Sequence, residues 1–124
     1  MNKTILVIED NDDNMSLITQ LLESAGKTVV KATTGMEGDE KTLELRPDIV
    51  LLDIQLPDIE GTEVLQMIRS NKEVEDIAVV AVTSYAMAGD REKLMAAGCN
   101  GYIEKPIDPF RILEELEIIL KEQQ

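Results

Sequence analysis

Four short apolar runs, each leading into a polar side chain, constrain the fold of this chain more than any other feature. They are rich in valine and isoleucine, which is typical of strands buried on both faces of a parallel sheet. Because the carboxyl ends of parallel strands share one edge, where ligands bind in open sheets, we expect these polar side chains to meet in one pocket. The runs and the residues that follow them are 5–8 with Glu9 and Asp10, 49–52 with Asp53, 78–82 with Thr83, and 101–104 with Lys105.

Helix and strand signals alternate along the whole sequence. Strict alternation predicts right-handed crossovers and an α/β fold in three layers, in which helices cover both faces of a five-stranded parallel sheet. We expect residues 1–124 to form one domain of this kind. The elements predicted between the four runs are a helix from 10–13 to Gly26, a strand over 28–32, a helix from 33–35 to Pro47, a helix capped by Thr62, a helix over 91–97, and a helix begun by 108–109.

The charge and the absence of histidine exclude several kinds of function. The net charge is −13, with 25 acidic against 12 basic residues, so the surface repels nucleic acid and anionic membranes. The chain has no histidine, which excludes Ser-His-Asp and Cys-His catalysis and the common zinc sites. If phosphohistidine chemistry matters here, the histidine belongs to another protein.

The single cysteine and the start of the chain predict a cytoplasmic protein. Cys99 has no partner for an internal disulfide, which fits a reducing compartment. A strand signal begins almost at once after Met1, which leaves no room for a signal peptide. No apolar run approaches the roughly 20 residues that a membrane-spanning helix needs.

The residues of the expected pocket match the needs of phosphoryl transfer. The carboxylates of Glu9, Asp10 and Asp53 repel one another unless a cation joins them. Oxygen ligands without histidine or cysteine favour magnesium over zinc or copper. Lys105 can hold a phosphoryl oxygen as a point charge, and Thr83 can donate a hydrogen bond to one. Asp53 is the candidate nucleophile, because an aspartate can form an acyl phosphate and the loop that follows it leaves room for approach.

Each of these residues also has an ordinary structural explanation. Acidic residues after a strand usually cap the next helix, and Asp12 or Asp13 is the expected cap here. Taken alone, Asp53 is a turn residue, Thr83 a loop hydroxyl and Lys105 a solvated lysine. Their occurrence together at successive strand ends of one predicted edge favours the functional interpretation.

The order and spacing of these motifs resemble the receiver domain of two-component response regulators, the CheY-like family. The resemblance covers essentially the whole chain, with Thr83 lying 30 residues after Asp53 and Lys105 lying 22 residues after Thr83. It implies a flavodoxin-like fold with strand order 2-1-3-4-5. The matching segments are 8–11, 47–53 with Pro57 and Gly61, 82–84, and 98–106.

The resemblance also implies a role for each residue of the pocket. Asp53 would accept a phosphoryl group from a phosphohistidine on a histidine kinase or a histidine phosphotransfer protein. Magnesium, for which manganese can substitute, would be held by Asp10, Asp53 and the backbone carbonyl of Gln55, and by Glu9 mainly through water. The roles implied for the other residues are Lys105 as partner of Asp53 or its phosphoryl group, Thr83 as phosphoryl hydrogen-bond donor, Thr83 and Tyr102 as coupled switch residues, and Pro106 as a candidate for a cis peptide bond.

A signalling role is implied rather than that of a conventional enzyme. The downstream protein would bind the face made by the fourth helix, the fifth strand and the fifth helix, and the phosphoryl group would be lost by self-catalysed hydrolysis. Gln55 and Tyr85 flank the expected path of the attacking water and would tune that loss. Gly38 occupies a position where alanine is common in the family, which would loosen the second helix.

Two other classes of function compete with this interpretation. A magnesium-dependent phosphatase also uses an aspartate nucleophile at a strand end, but it typically has a second acid two residues later, where this chain has Gln55. A flavin or nucleotide binder would need a loop suited to phosphate. The loop after the first strand is acidic instead, and no glycine-rich phosphate loop occurs.

Overall fold

The computed structural model describes residues 3–84 and 88–122, where strands and helices alternate as the sequence predicts. All strand pairs are parallel, and the sheet order is β2-β1-β3-β4-β5. The flavodoxin-like order implied by the resemblance is therefore confirmed. The strands are β1 Thr4–Ile8, β2 Thr28–Ala32, β3 Ile49–Asp53, β4 Ala78–Thr83 and β5 Gly101–Glu104. The helices are α1 Asp12–Ser24, α2 Gly35–Leu45, α3 Gly61–Ser70, α4 Ala88–Ala96 and α5 Pro109–Glu122.

Two apolar cores lie on the two faces of the sheet. Alternate residues of one strand enter different cores, so that Ile5 and Val7 pack on the side of α1 and α5, whereas Leu6 and Ile8 pack on the side of α3 and α4. Strands β3 and β4 are buried along their whole length. Each fully buried aliphatic side chain contributes about 1.5–3 kcal/mol to folding, so these strands fix the edge at which their polar ends meet. None of the described helices is both long and apolar enough to cross a membrane.

Two predicted helix caps are wrong. Asn11, not Asp12 or Asp13, caps α1, and its side chain accepts a hydrogen bond of 2.9 Å from the Asn14 amide. Asp12 and Asp13 instead lie in the first turn, where their charge suits the helix dipole.

Thr62 does not cap α3, which begins one residue earlier at Gly61. The Gly61 amide donates to the Ile54 carbonyl at 2.8 Å. A Cβ atom at this position would lie 2.6 Å from Ile54 Cα, so the close approach of the chain to the end of β3 requires glycine. This tertiary contact sets the start of the helix.

Helix α4 begins at Ala88, three residues before the predicted start, and Gly98 follows its end with a φ of +113°. The sequence did not predict the first turn of this helix, because Gly89 has a low helix propensity.

In α1, the helical spacing of Leu17, Ile18, Leu21 and Leu22 predicts that these residues face the core. Leu17 is instead 37% exposed, while Met15 and Thr19 are buried.

Gly38 brings α2 close to the sheet. A Cβ atom at this position would lie 2.4 Å from Ile8 Cδ1 and 2.8 Å from Ile8 Cγ1. Residue 38 faces the end of β1, immediately before Glu9. The glycine that weakens this helix by its low propensity therefore also lets the helix pack tightly behind the candidate site.

Candidate functional site

Polar side chains from four neighbouring strands converge at the carboxyl edge of the sheet. Glu9 and Asp10 follow β1, Asp53 and Thr83 end β3 and β4, and Lys105 follows β5. Backbone bonds continue past the strand ends, from the Glu9 amide to the Ala32 carbonyl at 3.0 Å and from the Lys105 amide to the Thr83 carbonyl at 2.8 Å. The pocket residues are thus held by the extension of the sheet ladder itself.

Three carboxylates form the centre of the site. Each of Glu9, Asp10 and Asp53 offers an oxygen, and these oxygens lie within 4.8 Å of one another. Glu9 and Asp53 are each only 2% exposed, whereas Asp10 faces solvent. Burial of two negative charges side by side is costly unless positive charge is supplied.

Lys105 supplies one positive charge to this cluster. Its Nζ atom donates to Asp53 Oδ2 at 3.0 Å and lies 3.1 Å from Glu9 Oε1. The second oxygen of Asp53 accepts from the Gln55 amide at 3.0 Å, and the second oxygen of Glu9 accepts from the Asn11 amide at 3.2 Å. One ammonium therefore compensates two buried acids, which leaves the site with an excess of negative charge.

The protonation of Glu9 and Lys105 reflects this excess. Burial, reinforced by the neighbouring Asp53, raises the pKa of Glu9 from 4.5 to about 7, against the opposing effect of Lys105. Burial alone would lower the pKa of Lys105, but the adjacent Asp53 and Glu9 carboxylates outweigh it and raise this pKa. Lys105 is therefore charged at neutral pH, whereas the carboxyl group of Glu9 gains or loses its proton near neutral pH.

The donor set fits a hard divalent cation. Glu9 Oε1 is buried, and its contact within the described residues is the ion pair of 3.1 Å with Lys105. A buried carboxylate oxygen in a cluster of three acids is suited to a cation or to one of its bound waters. Carboxylate oxygens without nitrogen or sulfur donors are the ligands that Mg²⁺ prefers.

The remaining predicted residues lie around this cluster. Thr83 is 1% exposed, and Tyr102 is 8% exposed and packs in the core with Leu94 and Cys99. The Arg91 guanidinium lies 6.0 Å from the centre of the Tyr102 ring. The peptide bond between Lys105 and Pro106 is cis. Tyr85 lies outside the described residues.

The sequence did not indicate two contacts that border the site. Ser84 donates from its hydroxyl to Gln55 Oε1 at 3.0 Å, joining the loops that follow β3 and β4. Asp58 accepts from the amides of Gly35 and Met36. Both contacts join segments more than 20 residues apart, so no local sequence pattern could reveal them. The residue types of Pro57 and Asp58 indicate only that a turn lies there.

The pKa of Glu9 predicts a pH dependence of stability in the metal-free protein. The folded state holds this proton more tightly than the unfolded chain does, so the stabilisation is fully present below pH 4.5 and is lost as the pH rises to about 7. The loss attributable to Glu9 is about 3 kcal/mol, because its pKa rises by roughly 2.5 and each pKa unit corresponds to 1.36 kcal/mol. Urea unfolding with a chelator at several pH values measures it.

The variant Glu9→Gln isolates this effect from the other acids of the chain. Glutamine has a similar shape but does not titrate, so the difference in unfolding free energy between parent and variant should change across this pH range. A constant difference from pH 4.5 to 7 would show that Glu9 has an ordinary pKa.

Comparisons with known proteins agree on one family. The family model of the response regulator receiver domain matches residues 5–117. The polar-differentiation response regulator DivK of Brucella ovis is 38% identical over 120 residues, covering 97% of this chain and 98% of that protein.

Solved structures give the same result. A CheY-like response regulator receiver domain protein from Methanospirillum hungatei aligns with a TM-score of 0.90 and 34% identity, over 99% of this chain and 97% of the other. The receiver domain of a sensor histidine kinase from Pseudomonas aeruginosa aligns with a TM-score of 0.90 and 29% identity, over 98% and 99% of the two chains. That structure holds a magnesium ion coordinated in its active-site cleft.

Proposed function

Because this chain belongs to the response regulator receiver domain family, we propose that residues 1–124 form a phosphoacceptor module of a two-component phosphorelay, with Asp53 as the acceptor. Receiver domains of this kind are signalling modules that interact with histidine kinases and with downstream targets. The observation that carries the proposal is the convergence of Glu9, Asp10 and Lys105 on Asp53 in such a chain. Asp53 is the buried member that ends a strand and is followed by a loop.

Asp53 acts as the nucleophile in the proposed reaction. A carboxylate oxygen attacks the phosphorus of a phosphohistidine on a histidine kinase or a histidine phosphotransfer protein. The P–O bond forms as the P–N bond breaks, and the electron pair stays on the imidazole nitrogen. The phosphohistidine ring reacts with its other nitrogen protonated, so that it leaves as neutral imidazole. Lys105 holds an oxygen of the transferred group by charge, and Thr83 donates a hydrogen bond to another.

Magnesium would be held by Asp10, Asp53 and the backbone carbonyl of Gln55, with Glu9 acting mainly through water. When bound, it would neutralise the carboxylates and the phosphoryl oxygens during transfer. Manganese, which also favours oxygen ligands, would substitute. Support comes from the donor set of this site and from the magnesium ion in the related receiver structure.

The phosphoryl group would change the surface through Thr83 and Tyr102. It adds up to about two negative charges and three acceptor oxygens next to Thr83. Movement of the Thr83 hydroxyl towards these oxygens leaves space that Tyr102 fills. The surface then changes from one side-chain packing to another. The downstream protein would bind this face, composed of α4, β5 and α5, which exposes the apolar side chains of Met95 and Ile118.

The other partner assignments follow from charge and composition. A net charge of −13 disfavours direct binding to nucleic acid or to anionic membranes. We also propose a cytoplasmic location, which suits the single cysteine and an exchange with histidine kinases.

Labelling by a small phosphodonor tests the proposal. Incubated with acetyl phosphate and magnesium, the parent chain should gain the mass of one phosphoryl group on Asp53, and a chelator should prevent the gain. A chain that stays unlabelled would contradict the proposal. Steady turnover of a small phosphoester such as p-nitrophenyl phosphate would favour the magnesium-dependent phosphatase instead. The residue two positions after Asp53, where such enzymes carry their second acid, is Gln55, so we expect no such turnover.

A further inference from the structure

The loop between β3 and α3, residues 54–60, carries one part of the proposed magnesium site. We call this segment the acceptor loop. Its first turn is held by the hydrogen bond of 3.0 Å from the Gln55 amide to Asp53 Oδ1. Its far end is held by the bond of 2.8 Å from the Gly61 amide to the Ile54 carbonyl. The Gln55 side chain is also joined to Ser84, and the middle of the loop has a separate contact.

Asp58 makes that contact with the start of α2. Its Oδ1 atom accepts from the Gly35 amide at 2.7 Å, and its Oδ2 atom accepts from the Met36 amide at 2.9 Å. These amides belong to the first two residues of the helix, whose N–H groups have no intrahelical acceptor. The two hydrogen bonds hold the pKa of Asp58 below its usual range, so the contact is made by a charged carboxylate.

Helix α2 already has a cap of its own, so the Asp58 contact does more than end the helix. Thr34 Oγ1 accepts from the Glu37 amide at 3.1 Å, and Glu37 Oε1 accepts from the Thr33 amide at 2.7 Å. This reciprocal pair is local to residues 33–37. Asp58 adds a link between two segments 23 residues apart.

Close packing accompanies these hydrogen bonds. A Cβ atom at Gly35 would lie 2.6 Å from Ile59 Cγ1. The start of the helix therefore rests directly on the acceptor loop, next to Asp58. Hydrogen bonds and van der Waals contact together give the loop a rigid support, since α2 itself packs on β1 through Gly38.

We propose that Asp58 is a positioning residue for the magnesium site. It fixes the acceptor loop on α2 so that the Gln55 carbonyl and the Asp53 carboxylate keep the arrangement that the ion requires. Asp58 acts through the backbone and touches neither the ion nor the phosphoryl group. The proposal rests on the function proposed above and adds a residue to it.

Loss of the Asp58 side chain should weaken magnesium binding without removing a ligand. Ordering of the loop would then have to accompany binding, which lowers affinity. We expect the magnesium dissociation constant of Asp58→Ala to rise about tenfold, the low end of the range for groups that orient metal ligands. At saturating magnesium, labelling by acetyl phosphate should reach the parent rate.

Thr34→Ala is the matched control. It removes a side-chain oxygen from the same helix end and weakens α2, but it leaves the Asp58 contact in place. Isothermal titration with magnesium chloride gives the affinity of each variant, and urea unfolding gives the stability. Hydrogen exchange of the four amides in residues 55–59, where Pro57 has none, reports the order of the loop itself when it is measured without metal.

The expected pattern separates positioning from general destabilisation. Asp58→Ala should bind magnesium about tenfold more weakly and exchange faster at residues 55–59, whereas Thr34→Ala should match the parent in both measurements despite its lower stability. Asp58→Asn, which keeps one acceptor oxygen, should lie between Asp58→Ala and the parent. An unchanged magnesium affinity in Asp58→Ala, or an equal loss of affinity in Thr34→Ala, would overturn the positioning role of Asp58 but not the proposed function. A parent chain that binds no magnesium would overturn the proposed function and this role with it.

Discussion

Asp53→Asn should abolish labelling by acetyl phosphate in the presence of magnesium. The amide that replaces the carboxylate carries no negative charge and is a far weaker nucleophile for phosphorus. Removal of an enzyme's attacking group costs on the order of 10⁶-fold in rate. Intact-protein mass spectrometry over time measures the loss directly.

The fold should survive this substitution. Asparagine has nearly the same shape as aspartate, and its carbonyl oxygen can still accept from the Gln55 amide or from Lys105. The change also removes one of the two acids buried at 2% exposure, which relieves the repulsion felt by Glu9. We therefore expect unfolding in urea at or above the parent midpoint, so that lost labelling cannot be ascribed to lost structure.

Asp48→Asn is the control for this experiment. Asp48 immediately precedes β3, at the opposite edge of the sheet from Asp53, and accepts from the Thr4 amide at 2.7 Å. The same chemical change there should leave labelling intact. Labelling of Asp53→Asn at the parent rate would show that the phosphoryl group resides on a different residue.

The sequence predicted the sheet and the convergence of the site because both depend on simple repeating patterns. Buried strands of a parallel sheet are continuous apolar runs, and the chain topology brings their carboxyl ends to one edge. Glu9, Asp53 and Lys105 were therefore found from their position after such runs. The register of β1, β3, β4 and β5 places the ends of these strands side by side, and Lys105 Nζ lies 3.0 Å from Asp53 Oδ2 and 3.1 Å from Glu9 Oε1.

Tertiary contacts decided the features that the sequence did not predict. Asn11 and the acids after it are all good caps, and only the path of the chain out of β1 selects Asn11. The start of α3 is set by the close approach of Gly61 to Ile54, which no helical signal records. The sequence predicts only that Asp58 lies in a turn. Its contact with α2 depends on how the loop after β3 packs against the start of that helix.

Lys105→Ala should separate labelling from the structural response. The nucleophile and the carboxylates of the proposed metal site remain, so acetyl phosphate should still label Asp53, although more slowly. The ammonium that would join the phosphoryl group to β5 is missing. Because Lys105 follows Tyr102 by three residues, we expect the α4-β5-α5 face to lose most of its response to labelling. Amide chemical shifts of this face, recorded with and without acetyl phosphate and magnesium, measure that response.

The same variant should be unstable without metal. Lys105 is the cation 3.0 Å from Asp53 and 3.1 Å from Glu9, and its removal leaves two buried acids uncompensated. Breaking a buried pair costs about 3–5 kcal/mol, and we expect somewhat less here because Glu9 can take up a proton. The pKa of Glu9, about 7 in the parent, would rise further in this variant. The loss of unfolding free energy relative to the parent should therefore be larger at pH 8 than at pH 5.

Magnesium and arginine distinguish the two roles of this lysine. A bound cation supplies the missing charge, so magnesium should restore more stability to Lys105→Ala than to the parent. Lys105→Arg keeps the charge but replaces a compact ammonium by a planar group, so it should retain stability while transmitting the signal poorly. If labelled Lys105→Ala showed the full chemical-shift response of the parent, the lysine would act only through charge balance. The response of the α4-β5-α5 face to labelling would then have to depend on Thr83. The Thr83 carbonyl accepts from the backbone amide of residue 105 at 2.8 Å, a bond that does not need the lysine side chain.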